Sequence, residues 1–94
     1  MEAGWLIGVL VEESPGAEPV RHFFAVGEPE RARAEWKAVD GSHGLGPVAT
    51  SPHGGIEPVG AIRSLTAARM RSLGLAPGEV RALGPRWPRR WASG

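Results

Sequence analysis

GWLIGVLVE, residues Gly4 to Glu12, and VRHFFAV, residues Val20 to Val26, decide how this chain is read. Each is short, β-rich and bounded by turn residues, so each predicts a strand. Ser14, Pro15 and Gly16 followed by Pro19 make the connection a turn, and the pair an antiparallel hairpin. Side chains alternate along a strand. Trp5, Ile7, Val9 and Val11 therefore share one face, and Leu6 and Leu10 the other. The second strand repeats this: Val20, His22, Phe24 and Val26 lie on one side, Phe23 and Ala25 on the other. Strands apolar on both faces need both faces covered.

Working outward, Gly27 ends the hairpin and a helix is predicted with Pro29 at its first position and Glu28 and Glu30 near its positive end. Ala32, Trp36 and Val39, at i, i+4 and i+7, form its apolar stripe. Gly41 is read as its left-handed stop. Residues 41–55 (GSHGLGPVATSPHGG) hold five Gly and two Pro without helical period, and predict a mobile, ligand-contacting loop. A third strand is expected over Ile56 to Arg63. A second helix should run over Leu65 to Leu73, N-capped by Ser64 and closed by Gly74, with Leu75 packing back on Met70. After the turn at Pro77 and Gly78, Glu79 to Leu83 predicts a short fourth strand.

At 94 residues the chain is one domain. The expected fold is α+β: a β-β-α-β-α(-β) sandwich, with an antiparallel-dominated sheet of three or four strands and two helices on one face. Residues 1–85 form this domain. Residues 86–94, rich in Arg, Trp and Pro, read as a basic tail dispensable for folding.

Composition excludes several classes. The absence of Cys removes disulfides, thiol nucleophiles and Cys-based zinc sites. The longest apolar run, Trp5 to Val11, is too short to span a bilayer. Glu2 stands where a signal peptide needs basic residues, so the expected location is cytoplasmic. Ten Arg against a single Lys, with abundant Gly, Ala and Pro, suggest a GC-rich bacterial source. Residues 1–60 carry nine acids (Glu2, Glu12, Glu13, Glu18, Glu28, Glu30, Glu35, Asp40, Glu57) against four bases, a balance of −5. Residues 61–94 carry seven Arg against Glu79, a balance of +6. Such asymmetry means either pairing between the halves, within one fold or across a dimer, or an anionic partner.

Few residues suggest chemistry. His43, His53 and Glu57 have the ligand types of a two-histidine, one-carboxylate metal site, but their spacing matches no short motif. No cofactor is expected. Asp40, Ser42 and His43 have the residue types of a hydrolytic triad, yet neighbours in sequence rarely meet both of its hydrogen-bond constraints. Gly41, Gly44 and Gly46 follow a helix instead of a strand, the wrong context for a dinucleotide loop. His22 inside a strand reads as a structural, half-buried histidine.

The expected role is therefore a small non-enzymatic interaction module, binding itself as a homodimer or another protein, with no membrane contact. Trp5, Ile7, Val9 and Phe24 on an open sheet face would carry the association, with Arg86, Trp87, Arg89, Arg90 and Trp91 as the second interaction cluster. The alternative is a nucleic-acid-binding accessory protein using Arg63, Arg69, Arg71, Arg81 and the tail.

Overall fold

A computed structural model of the chain describes residues 2–93. β1 (Glu2–Val11) and β2 (Val20–Val26) form the expected hairpin, in register from Trp5 opposite Val26 to Val11 opposite Val20. α1 (Arg31–Ser42), β3 (Val59–Thr66), α2 (Ala67–Leu73), β4 (Val80–Gly84) and α3 (Arg89–Ala92) follow. The strands pair antiparallel in the order β3-β1-β2-β4, so the domain is α+β with one four-stranded antiparallel sheet.

Local chemistry explains where boundaries depart from expectation. Ile56 is spent in a tight turn: His53 and Ile56 exchange both backbone hydrogen bonds at 3.0 Å, across Gly54 (φ 59°) and Gly55 (φ 80°). Two successive positive φ angles make glycine the natural residue at both positions. β3 therefore starts after Pro58 and runs through Ser64 to Thr66. Thr66 replaces Ser64 as the cap of α2, its Oγ1 accepting from the Arg69 N–H at 3.1 Å. The far end of α2 is as the sequence predicts. Gly74 is left-handed, the Leu75 N–H donates to the Met70 carbonyl at 2.9 Å, and both side chains are buried together.

The helices do not share one face of the sheet. Ile7, Val9, Val11, Phe24 and Val26 pack under Ala34 and Ala38 of α1. Leu6, Phe23, Ala25 and Leu65 pack on the opposite face with Met70, Leu75 and Trp91. The cause is the two-faced hairpin itself, which leaves no face that water tolerates. The face expected to lie open is instead covered by α1. Ile7, Val9 and Phe24 are sealed beneath α1, and Trp5 is half-buried with its Nε1 donating to the Pro29 carbonyl at 2.9 Å.

The stripe that α1 buries also differs from the predicted one. Ala34, Ala38 and Ser42 face the sheet, while Trp36 is 71% exposed. Ala32, Trp36 and Val39 have the same helical period, so periodicity cannot choose between the stripes. Bulk does: the sheet already supplies Ile7, Phe24 and Val26 on this face, and only small helix residues complete a layer at normal interior density. Gly41 is part of this arrangement and not a stop. It lies within the helix, where an added Cβ would sit 3.3 Å from Val80 Cγ1 and 3.6 Å from the Phe24 ring.

The glycine-rich loop is anchored at its middle and exposed beyond it. The Glu12 N–H donates to the Pro47 carbonyl and the Ala49 N–H to the Leu10 carbonyl, each at 2.9 Å, extending the edge of β1 past the end of β3. Ala49 is buried, whereas residues 50–55 are exposed.

Candidate nucleic-acid interface

The sheet face opposite α1 collects the arginines. Alternation places Arg21 beside Phe23 on this face, and Gly8 on the neighbouring strand makes room for it: a Cβ there would lie 2.5 Å from Arg21 Nε. The Arg21 guanidinium carbon is 5.3 Å from the Phe23 ring centroid, a cation–π distance. Trp87 meets the same ring edge-on, with centroids 5.5 Å apart and planes at 89°, and remains 54% exposed. The Phe23 ring, held on the sheet by β2, thus meets both the Arg21 guanidinium and, edge-on, the Trp87 indole.

Residues 86–93 do not hang free as a tail. Trp91 is 8% exposed within the core cluster of this face, and Ala92 packs against that cluster. Three arginines from the body of the fold hold the segment down. Arg63 Nη1 donates to the Ala92 carbonyl, and Arg69 Nη2 donates to the carbonyls of Arg90 and Ser93. Arg81 lies 5.9 Å over the Trp91 ring and binds the carbonyls of Leu73 and Gly74 as well as Glu79. Composition misleads here because an Arg- and Pro-rich stretch looks too polar for a core, whereas one buried indole with its backbone carbonyls satisfied is enough to dock it.

Backbone carbonyls satisfy guanidinium hydrogen bonds without cancelling their charge. Among the described residues the ion pairs are Lys37 with Glu28 and Arg81 with Glu79, and the His22 Nε2 lies 3.4 Å from Glu13. Each lies within its own half of the sequence, so among the described residues no ion pair joins the acidic half to the basic half. Arg71, Arg86, Arg89 and Arg90 are exposed and enter none of these pairs. Two grooves lie on this side of the sheet. One, of about 420 Å³, is lined by Arg63, Ser64, Thr66, Ala68, Arg69 and Ser72. The other, of about 280 Å³, is lined by Leu83, Trp87, Pro88, Arg89, Arg90 and Trp91.

The Glu79 carboxyl is held below its ordinary value of 4.5, first by the hydrogen bond it accepts from the Ala76 N–H and then by the Arg81 guanidinium. A lowered carboxyl pKa contributes stability above the unfolded value that is lost as pH falls through the folded one. Glu79→Gln is therefore expected to lower the thermal midpoint slightly at neutral pH, with the gap to wild type closing as pH drops below 4.5. A gap that stays constant into strong acid would show that the carboxylate contributes nothing here.

The remaining candidates do not converge. Among the described residues no group of three His, Asp or Glu side chains is placed to hold a metal. His43 is exposed at the end of α1, His53 sits in the Gly54-Gly55 turn, and Glu57 is exposed beyond that turn. Ser42, the would-be triad nucleophile, is buried and donates from Oγ to the Val39 carbonyl at 2.7 Å. His22 lies in β2 and is buried, more deeply than the half-buried position expected, with Nε2 3.4 Å from Glu13 Oε1. Arg21 joins this candidate interface although composition does not single it out; the alternation that locates Phe23 also locates Arg21. No family model, curated protein or solved structure matches this chain. The site therefore rests on its own geometry.

Proposed function

We propose that the chain is a small non-enzymatic interaction module that binds single-stranded nucleic acid through Trp87 and the surrounding arginines. The observation that supports this most is the half-exposed indole set edge-on against Phe23, flanked by Arg86, Arg89 and Arg90, which enter none of the ion pairs among the described residues. A base has a π-face for Trp87 and a phosphate for each flanking guanidinium, and such contacts tolerate any sequence. A duplex hides its base faces, so an exposed indole favours an unpaired strand. The described residues include no helix long and apolar enough to cross a membrane.

Fluorescence anisotropy of labelled single-stranded DNA and RNA oligonucleotides, titrated at several salt concentrations, tests this. Three phosphate contacts, by Arg86, Arg89 and Arg90, give a slope of log K against log salt of roughly −2 on single strands. Trp87→Ala is expected to weaken binding by about 1–3 kcal/mol with little change in that slope. Replacing Arg86, Arg89 and Arg90 by Ala should flatten the slope by roughly 2. Absence of binding at low salt, or binding indifferent to both variants, would overturn the reading.

A further inference from the structure

The outward side of α1 has no role in the core and none in the basic face across the sheet. Ala34, Ala38 and Ser42 point inward, so at 3.6 residues per turn the stripe of Ala32, Arg33, Trp36 and Asp40 points away from the sheet. All four are exposed, and Trp36 is the most exposed large apolar side chain among the described residues. A shallow groove of about 250 Å³ runs beside it, lined by Ala32, Glu35, Trp36, Val39 and Val59. Arg33 and Asp40 enter none of the ion pairs of the described residues.

The order of charges along this stripe is self-complementary. Trp36 lies at the middle of Arg31–Ser42, with a base about one turn before it and an acid about one turn after it. We propose that two copies of the chain pair through α1, antiparallel, about a two-fold axis passing beside Trp36. That operation brings Arg33 of each copy to Asp40 of the other and lays the two indoles side by side. A two-fold interface repeats each contact, so one charge pair counts twice. An unrelated protein would have to match this arrangement, whereas a second copy matches it by symmetry. The helix has 12 residues, roughly 18 Å of length, and its buried area falls short of the ~1,000 Å² expected of a tight complex. The dimer is therefore a weak one, populated at high micromolar concentration.

Pairing through α1 leaves the Arg and Trp87 surfaces facing outward on opposite sides of the dimer, so oligonucleotide binding and self-association can fail independently. Sedimentation velocity on the full chain, without nucleic acid, up to about 500 µM, tests the proposal. Wild type should move from monomer to dimer across that range. Trp36→Glu should raise the dissociation constant at least about tenfold, since it removes the central aromatic anchors. Arg33→Asp and Asp40→Arg should each weaken pairing by roughly fivefold, by setting like charges against each other. The double variant R33D/D40R restores opposite charges across the axis and should return to within about twofold of wild type. Loss of fold is not confounding. α1 has no acid in its first turn and no base in its last, so Asp at 33 and Arg at 40 both suit the helix dipole and should hold or raise the thermal midpoint. A monomer at every concentration, an indifferent Trp36→Glu, or a double variant no better than the singles would each overturn the proposal.

Discussion

Glutamate in place of Val9 or Phe24 is expected to abolish the cooperative unfolding transition altogether. Both side chains lie under α1 with 0% and 1% exposure, in a cluster with Ile7, Val11, Val26, Ala34 and Ala38; the ionisable side chain on this face of the hairpin is His22, opposite Val9, while Phe24 has none beside it in that register. An unpaired carboxylate there costs several kcal/mol even after the site relaxes. At Phe24 the lost ring adds about 3–5 kcal/mol more. A domain of this size has about 5–14 kcal/mol of stability in total, so little or nothing remains. Far-ultraviolet circular dichroism with temperature reads the outcome directly. A sharp melt close to that of wild type would mean that this face is open to water after all. Trp36→Glu, on the outer side of the same helix, should melt normally.

Removal of the last residues should be nearly as damaging. Truncation after Gly84 takes away Trp91 from the second core cluster, the ring packed on Phe23, and the carbonyls that satisfy Arg63 and Arg69. Trp91→Ala alone is expected to cost about 3 kcal/mol, at the low end for a buried tryptophan because the segment lies at the margin of the core. At roughly 4–8 °C per kcal/mol, the thermal midpoint falls by at least about 12 °C, and by more on truncation. Trp87→Ala is the comparison: its half-exposed ring should cost far less stability while reducing oligonucleotide binding. A truncated chain melting within a few degrees of wild type would show that the segment merely rests on the sheet.

The parts of the fold legible in the sequence are those fixed by neighbours in the chain. The hairpin, the α2 ending at Gly74 and Leu75, and the short last strand each follow from a local pattern of alternation, capping or turn residues. What escaped depends on partners distant in sequence. The two stripes of α1 share one period, and the choice between them is made by the volume of Ile7, Phe24 and Val26. The docking of Trp91 depends on Arg63 and Arg69 finding backbone acceptors in residues 90–93, and composition does not reveal carbonyls as partners. The same holds at the candidate interface. Arg86, Trp87, Arg89 and Arg90 stand out as a cluster by inspection. That Arg21 and Phe23 build the floor beneath Trp87, while Trp91 is withdrawn into the core, required the pairing of β1 with β2 and the closing of the chain over them.

The arginine clamp on the C-terminal segment has an evolutionary corollary. Every residue type brings a carbonyl, so positions 90, 92 and 93 can change identity without losing an acceptor, while Arg63 and Arg69 on β3 and α2 cannot be exchanged so freely. Relatives of this chain should then keep the two donors and the indole of Trp91 and let the intervening side chains drift. The exposed arginines of that segment, Arg89 and Arg90, are thereby released from any duty to the fold. Selection can retune what this surface presents, residue by residue, without retesting whether the protein holds together.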